Sequence, residues 1–305
     1  MDYVNASPVV VAGATGDLGR RLVQALKERG AHVTALVRPG TAPARLAGLE
    51  APGCTIAAVS LDDTRRLQHA LAGAGCVVSA LNGLEPVIME QQGQLLEAAI
   101  AAGVPRFIPS DYCLDYTGTR PGDNRNMDLR RQFAGQLDAA AIKATSILNG
   151  GFLELLEGDA PLVLPGRRVL CFGDPHQPLN FTAKNDVAAF TAAAAVDPHA
   201  PRMLRIAGNS LSPVQIADTL TELTGKPYRT LRPGSIGVLS TLIGVTRALT
   251  PASDNPFPAW QGMQYLRDMM SGRGTLLTLD NDRYGHREWA AARDTLARTY
   301  APGAQ

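Results

Sequence analysis

The sequence predicts an α/β fold, a doubly wound parallel sheet followed by a smaller C-terminal substrate domain. Short, continuous apolar runs typical of buried parallel strands alternate with helical patterns through the first half of the chain. A glycine-rich turn joins the first apolar run to the first helical pattern. The length of 305 residues accommodates one large or two modest domains. Because parallel strands need crossover connections, the alternation predicts helices on both faces of the sheet.

The first strand is predicted at residues 9–12, where four apolar residues precede Gly13. Apolar residues then recur at helical spacing from Leu18 to Leu26, and Gly30 is placed to cap this helix. Further strands are predicted at residues 32–37, 56–59, 76–81, 107–109 and 145–148, and further helices at residues 64–72, at residues 89–102 and around Phe133.

The alternation fades after Phe152, which predicts a domain boundary at that point. We expect residues 1–152 to form an NAD(P)-binding domain. Residues 153–305 are expected to form a smaller substrate-binding or lid domain, with the option that part of it returns to the first sheet. Within this second segment the pattern predicts short strands and several helices, one of them at residues 260–270.

Two helices of the second segment have recognisable starts. Ser212 is a suitable N-cap, with Pro213 at the first helical position and Gln215 placed to close a capping box, and Gly225 is suited to end the helix. Asp186 is expected to be the N-cap of an alanine-rich helix that extends to residue 196.

The turn after the first strand has the glycine spacing of a dinucleotide-binding loop. From Gly13 to Gly19 the sequence reads GATGDLG. Glycines there let the backbone approach a pyrophosphate, and the following helix offers unpaired N–H groups to it. The predicted cofactor contacts in this turn are Gly13, Thr15, Gly16, Asp17, Leu18 and Gly19. The pattern therefore favours a Rossmann-type domain over a merely tight turn.

The residue after the second strand bears on the choice between NAD and NADP. NAD-selective domains place a carboxylate there, against the ribose hydroxyls, whereas this chain has Arg38. A guanidinium forks onto a 2′-phosphate, so the sequence favours NADP. Asp17 is a contrary sign because its carboxylate would repel that phosphate, and the alternative for Arg38 is a solvated loop residue.

Ligands of open parallel sheets bind beyond the carboxyl ends of the strands. On this basis Leu81, Asn82 and Ser110 are predicted to contact the cofactor, and Asp111, Tyr112, Asn149, Gly150 and Phe152 to contact the substrate. Gly150 and Gly151 are expected to leave room for a flat ring, on which Tyr112 and Phe152 would stack. The alternatives are core packing for the two aromatic residues and a turn or helix N-cap role for Asp111.

Several segments together carry a family resemblance. They are GATGDLG, ALVRP at residues 35–39, VPRFIPSDY at residues 104–112, and FGD at residues 172–174 followed by DVA at residues 186–188. With these segments the chain resembles the NmrA-like and isoflavone-reductase-like atypical short-chain dehydrogenases over about residues 8–225. The resemblance implies a Rossmann domain, a small substrate domain and NAD(P) binding. Members include reductases, quinone oxidoreductases and cofactor-sensing regulators.

The chain departs from the catalytic patterns of these families. Tyr112 is not followed four residues later by a lysine, as a YxxxK pair would require. Reductases of the isoflavone-reductase type carry a lysine at the start of the helix before the sixth strand. An ungapped count places Arg130 there, and a one-turn insertion places Asn126 there. Arg130 stays charged, so we expect it to stabilise a developing oxyanion, with Tyr112 as the second catalytic residue.

The main functional hypothesis is an NADP(H)-dependent oxidoreductase that reduces a small planar acceptor, such as a quinone, enone or aromatic carbonyl compound. The alternative is a regulatory protein that senses NADP(H) without turnover, which the missing lysine favours. The oligomeric state is left open, with a homodimer as one option.

Composition excludes several other classes. A net charge of +1, from 29 basic and 28 acidic interspersed residues, predicts no nucleic acid or membrane partner. Four widely spaced cysteines without companion histidines indicate reduced thiols and no metal site. Residues 1–8 lack the basic start of a signal peptide, and no apolar run is long enough to span a bilayer, so we expect a cytoplasmic protein.

Overall fold

The computed structural model describes residues 7–158 and 162–301. Most of the segment on which the signal-peptide expectation rests, residues 1–6, lies outside the described residues. The α-helices are α1 Asp17–Glu28, α2 Pro43–Leu46, α3 Thr64–Leu71, α4 Gln92–Ala101, α5 Arg125–Ala139, α6 Lys184–Val196, α7 Pro213–Thr224, α8 Ile236–Leu249, α9 Ala259–Met270 and α10 Ala292–Tyr300. A π-helical turn at Pro86–Gln91 precedes α4, and a 3₁₀-helix lies at Leu153–Glu157.

The strands, also numbered in chain order, form four sheets. They are β1 Val9–Ala12, β2 Val33–Val37, β3 Cys54–Ala58, β4 Cys76–Ser79, β5 Arg106–Ile108, β6 Lys143–Ala144, β7 Ser146–Leu148, β8 Gly151–Phe152, β9 Val163–Leu164, β10 Arg168–Phe172, β11 Leu179–Thr182, β12 Met203–Arg205, β13 Asn209–Leu211 and β14 Arg229–Gly234. The main sheet has the order β3-β2-β1-β4-β5-β6. The smaller sheets have the orders β14-β10-β9, β13-β11-β8 and β12-β7.

All strand pairs of the main sheet are parallel, which confirms the predicted Rossmann-type α/β fold. The strand order reverses direction beside β1, because the chain first builds outward to β3 and then crosses to β4. Val10, Val77 and Phe107, on the interior strands β1, β4 and β5, are fully buried, as strands covered on both faces require. Ligands of such sheets bind at this reversal point, beside the glycine turn that follows β1.

The sixth strand of the main sheet differs from the one that the sequence predicts. The strand that completes the main sheet is the two-residue β6, paired with Arg106 and Phe107 of β5, whereas Ser146–Leu148 pairs with β12 in a separate sheet. The backbone N–H of Ser146 donates to the carbonyl of Arg202 at 2.9 Å. An apolar run predicts a buried strand but carries no information about which strand it will pair with.

The predicted start of helix α7 is confirmed, whereas the predicted start of helix α6 is wrong. Helix α7 has the full capping box, with the Ser212 and Gln215 side chains each bonded to the other's backbone N–H, and Gly225 ends it at φ 65°. Helix α6 instead begins at Lys184, so Asp186 lies inside its first turn and is not the N-cap. Its carboxylate accepts hydrogen bonds from Arg287 at 3.1 Å and from the backbone of Ala290 at 2.8 Å. The Asp186 carboxylate therefore binds a segment that is distant in sequence and does not cap the helix.

The described residues form two compact units that are discontinuous in sequence. The sheet unit contains the residues up to Asp111 together with Leu129–Ile147 and Val187–Leu204. The companion unit contains Tyr112–Asp128, Leu148–Asp186 and the residues from Arg205 onward. The functional boundary after residue 152 stays a prediction. No helix in the described ranges is both long enough and apolar enough to cross a membrane.

Candidate functional site

The glycine turn of the sheet unit is closed by two backbone contacts that only glycine permits. Gly13 has φ 78°, and a Cβ there would lie 2.7 Å from the carbonyl oxygen of Ala80. A Cβ on Gly19 would lie 2.1 Å from the carbonyl oxygen of Gly13. These distances are shorter than van der Waals contact, so any side chain would push the turn away from β4 and from α1. The two glycines have the packing roles that the dinucleotide-binding pattern assigns to them.

The N-terminus of α1 is suited to bind an anion. Gly16 is its N-cap, in an extended conformation with φ −76° and ψ 168°, and no side chain caps the helix. The first N–H groups of a helix have no intrahelical partner, so those of Asp17 and Leu18 are directed toward the turn. The Asp17 carboxylate is held 2.8 Å from Arg21 Nε, which offsets the negative charge near this end. The cradle therefore fits a pyrophosphate.

Two arginines lie in the segment that follows β2. Arg38 is exposed, and its guanidinium forms no hydrogen bond or ion pair with any residue in the part of the chain that the structure describes. Arg45 on α2 has Nη2 3.5 Å from Thr15 Oγ1 in the glycine turn. Arg20 supports this arrangement, because its guanidinium donates to the carbonyls of Arg45 and Ala47. The sequence interpretation missed Arg45, although a second basic residue soon after Arg38 was the available signal.

Ser110 connects the loops that follow β4 and β5. Its hydroxyl donates to the carbonyl of Leu81 at 2.6 Å, and its backbone N–H donates to Gln92 Oε1 at 2.9 Å. Asn82, the next residue in the β4 loop, is exposed. The structure thus brings Leu81 and Ser110 together at the carboxyl edge of the sheet. Because the Ser110 hydroxyl donates its hydrogen to the Leu81 carbonyl, Ser110 holds the loops after β4 and β5 together at this edge.

Asp111 is buried in a polar chain and is not a helix N-cap, because the next helix, α5, begins at Arg125. The residue is 1% exposed, and its Oδ2 accepts a hydrogen bond of 2.7 Å from the Ser146 hydroxyl. Arg202 donates to the same hydroxyl oxygen at 2.7 Å and to Asp138 at 2.7 Å. The guanidinium occupies an acceptor site of Ser146, so the serine hydrogen points to Asp111.

The two alternative positions for the missing lysine have different surroundings. Arg130 lies in the sheet unit, in the middle of α5, and is 6% exposed. Asn126 lies in the companion unit, where its Nδ2 donates to the carbonyl of Pro256 at 3.0 Å and its Oδ1 accepts from Arg125 at 3.2 Å. The Asn126 amide therefore has a structural task in holding the 256 loop. Both residues are buried, and of the two only Arg130 is a cation.

The companion unit contains the remaining predicted substrate residues. The N–H groups of Asn149 and Gly150 both donate to the carbonyl of Cys113, at 3.0 and 3.2 Å. This joins the segment after Tyr112, which is 8% exposed, to the start of β8. Phe152 is half-buried, with Lys184 Nζ 5.7 Å from its ring centroid. Within this unit the structure brings together Tyr112, Asn149 and Gly150.

The expectation that glycines here leave room for a flat ring is wrong. A Cβ on Gly150 would lie 2.4 Å from the carbonyl oxygen of Asn180, and φ at Gly150 is 70°. A Cβ on Gly151 would lie 3.3 Å from the Phe181 ring. The space is filled by β11, so these glycines permit close strand packing.

Asn149 is a buried polar residue of the companion unit whose side-chain amide is unsatisfied among the described residues. It is 0% exposed, and neither Oδ1 nor Nδ2 has a hydrogen-bond partner among residues 7–158 and 162–301. Its backbone carbonyl accepts from Thr182 at 2.8 Å. An unsatisfied buried amide costs about 1 to 3 kcal/mol, which fits a position selected for binding rather than for stability.

No group of three His, Cys, Asp or Glu residues that could hold a metal ion occurs among the described residues. The four cysteines are free, and burial raises the pKa of Cys76 to about 12, so this thiol stays protonated. A cavity of about 330 Å³ in the sheet unit lies at the opposite, amino-terminal edge, beside Val9 and Pro105. It is remote from the glycine turn.

Comparison with known proteins agrees with this geometry. The model of the NmrA-like family matches residues 5–253. The chain belongs to the NmrA-like family. An isoflavone reductase homolog of Zea mays is 30% identical to this NmrA-like protein over 239 residues, which cover 73% of this chain and 76% of the relative.

Solved structures of other proteins have the same fold. A crystal structure of an isoflavone reductase matches with a TM-score of 0.82 at 19% identity, covering 96% of this chain and 99% of that chain. An NADPH-dependent quinone oxidoreductase from Escherichia coli, complexed with NADPH, matches with a TM-score of 0.75 at 19% identity, covering 95% and 99%. At these identities the likeness shows the NmrA-like α/β architecture.

Proposed function

We propose that this NmrA-like protein is an NADP(H)-dependent oxidoreductase that reduces a small planar acceptor, such as a quinone, enone or aromatic carbonyl compound. The observation that carries the proposal is the uncapped helix N-terminus at Gly16, with Arg45 3.5 Å from Thr15 in the same turn and Arg38 directly after β2, the strand that pairs with β1. The turn accepts a pyrophosphate, and the arginines supply positive charge for a further phosphate group. The relatives named isoflavone reductase and NADPH-dependent quinone oxidoreductase support the same chemistry.

The residues of this chain have separable tasks in the proposed reaction. NADPH, when bound, supplies a hydride. Gly13 to Gly19 bind and orient the phosphates, while Leu81, Asn82 and Ser110 contact the cofactor at the carboxyl edge of the sheet, where Ser110 donates to the Leu81 carbonyl. Arg130 stabilises negative charge on the acceptor oxygen, and it stays cationic because an arginine does not release its proton in proteins.

The companion unit supplies the proposed acceptor contacts. Tyr112 orients the acceptor or delivers a proton to it, and Phe152 offers a half-buried aromatic surface. The Asn149 amide, whose two polar atoms have no hydrogen-bond partner among the described residues, offers a donor and an acceptor. Asp111 in the sheet unit contributes a carboxylate that Ser146 holds in place. The free cysteines favour a reducing compartment, and we place the protein in the cytoplasm.

The second candidate is a regulatory protein that senses NADP(H) without turnover. The observation that favours it is the lack of lysine at both candidate positions, which hold Arg130 and Asn126. The test is NADPH oxidation by the purified protein across a panel of quinones, enones and aromatic carbonyl compounds. Turnover with any of them supports the reductase. Tight NADPH binding with no turnover across the panel supports the sensor.

A further inference from the structure

Two arginines of the companion unit lie against one tryptophan. The Arg125 Cζ atom is 4.6 Å from the ring centroid of Trp260, and the Arg247 Cζ atom is 5.1 Å from it. Arg125 begins α5, Arg247 is in the last turn of α8, and Trp260 is in the first turn of α9. Trp260 is 7% exposed, so the indole is a fixed surface on which the guanidinium groups stack.

These two positive charges are not neutralised within the described residues. Arg125 donates from Nη2 to the Pro256 carbonyl at 2.8 Å and from Nε to Asn126 Oδ1 at 3.2 Å, and both acceptors are uncharged. The Arg247 guanidinium forms no hydrogen bond or ion pair with any residue whose placement the structure describes. Arg267 in the same unit shows the usual arrangement, because Asp268 lies 2.9 Å from its Nη2.

The two guanidinium groups also affect each other. Burial lowers the pKa of Arg125, and the nearby Arg247 charge lowers it further, while Tyr265 acts in the opposite direction. Arg247 is exposed and Arg125 is half-buried, so an anion can approach both from solvent, and its charge would offset their mutual repulsion. Of the acids nearest to them in sequence, Asp123 pairs with Arg273 at 3.2 Å, Asp128 accepts from the backbone of Gly122 at 2.9 Å, and Asp254 is exposed.

The chemistry of the cluster selects the kind of anion. Guanidinium forks match the two oxygens of a carboxylate, and arginine binds such groups in a planar, bidentate geometry. Phe257 follows Pro256 directly, is 49% exposed, and has its ring 6.3 Å from the ring of Tyr265. An apolar aromatic surface therefore lies one residue from the carbonyl that Arg125 binds.

We propose that Arg125 and Arg247 bind the carboxylate of a small aromatic acid. This site goes beyond the proposed reductase function, because it lies within the companion unit and does not require NADPH. The carboxylate belongs either to the acceptor itself or to a separate effector, and the chemistry of recognition is the same in both cases. Inhibition kinetics with benzoate distinguishes the two sources.

The direct test uses Trp260 as its own reporter. The chain has two tryptophans, so Trp289→Phe leaves Trp260 as the single tryptophan. This variant is titrated with benzoate, with benzamide as the neutral analogue of the same shape, using excitation at the red edge of the indole band, where neither the two compounds nor the tyrosines absorb. We expect a saturable change in emission with benzoate, binding of benzamide at least about tenfold weaker, and weaker benzoate binding at high salt.

Substitutions then assign the site. Arg247→Gln is the decisive variant because the Arg247 guanidinium forms no hydrogen bond or ion pair with any described residue, and Arg125→Gln is the second. We expect each to weaken benzoate binding by roughly ten- to a hundredfold, the range of one charge-assisted hydrogen bond. Arg229→Gln, an exposed arginine on β14, is the matched control and should bind benzoate like the parent.

Three results would overturn the proposal: no saturable change with benzoate by fluorescence or calorimetry, equal affinity for benzamide, or unchanged affinity in Arg247→Gln. NADPH binding is measured on the same samples, so failure of this site and failure of the reductase proposal are read separately. With an active acceptor, benzoate that raises only the KM of that acceptor assigns the carboxylate to the acceptor. Benzoate that lowers kcat without changing KM assigns it to an effector.

Discussion

At the scale of single residues, the candidate site depends on where positive charge is placed. Arg38 was predictable because a residue that directly follows a buried parallel strand lies at the carboxyl edge of the sheet. Arg45 was not, because its approach to Thr15 depends on how α2 folds back and on the Arg20 bonds that hold it. Likewise, the Ser146 and Arg202 partners of Asp111 come from distant segments.

Arg38→Ala should reduce the preference for NADPH over NADH. An exposed guanidinium with no described partner is available to a 2′-phosphate, and one charged contact is worth about 1.5 to 3 kcal/mol, or roughly ten- to a hundredfold in affinity. Titration calorimetry with both cofactors measures this preference. The matched control is Arg65→Ala, an exposed arginine on α3. Equal NADPH and NADH affinities in the parent protein would remove Arg38 from the site.

Arg130→Ala should lower turnover while NADPH affinity stays nearly constant. Loss of a fixed donor to a developing oxyanion costs about a hundred- to a thousandfold in rate, or roughly 2.7 to 4 kcal/mol. Arg130→Lys retains the charge and should retain part of the activity. Steady-state kinetics on the best acceptor provides the measurement, with Asn126→Ala covering the alternative alignment. Turnover that is insensitive to both alanine substitutions would contradict the assignment of either residue.

At the scale of elements, the sequence predicts those structural features that depend on only a few adjacent residues. The α7 capping box and the glycine turn each span fewer than ten residues, and their backbone geometry follows from local sterics. The sequence does not predict that Ser146–Leu148 pairs with β12, because tertiary contacts determine which strands pair. Helices α8 and α10 were not predicted either. Helix α8 is apolar on its exposed side at Val238 and Leu249, which obscures its periodicity.

Gly16→Val should abolish binding of NADPH and NADH without unfolding the protein. A Cβ at Gly16 would lie 3.3 Å from the Gly13 carbonyl oxygen, a contact that small shifts can relieve, whereas the branched side chain would occupy the approach to the α1 N-terminus. Circular dichroism and cofactor titration measure the two effects. Gly93→Val on α4, where no atom lies within 4 Å of the added Cβ, is the control. A folded Gly16→Val protein with normal NADPH affinity would refute the anion-cradle argument.

At the scale of the whole molecule, the chain crosses between two compact units several times. Leu129–Ile147 and Val187–Leu204 both belong to the sheet unit although the segments around them do not. Composition and periodicity indicate where the strand–helix alternation fades. They do not indicate where later segments return, because return depends on which exposed sheet edge or helix face remains to be covered.

NADPH should stabilise the sheet unit specifically. A ligand that binds only the folded state at about a hundred times its Kd adds roughly 2.7 kcal/mol to the free energy of unfolding. Scanning calorimetry with and without NADPH measures the shift. If the units unfold in separate transitions, only that of the sheet unit should move, and Gly16→Val should remove the shift. An equal NADPH shift in Gly16→Val would contradict the location of the site.

The sequence by itself determined the parallel α/β architecture, the glycine turn and the position of Arg38. Each of these follows from local periodicity, from close backbone contacts that only glycine permits, or from chain order along a parallel sheet. The tertiary structure alone decided which strand Ser146–Leu148 joins, that Asn180 fills the space beside Gly150, and that Arg125 and Arg247 meet at Trp260. These contacts join residues far apart in sequence, and their free energies depend on packing that no local pattern encodes.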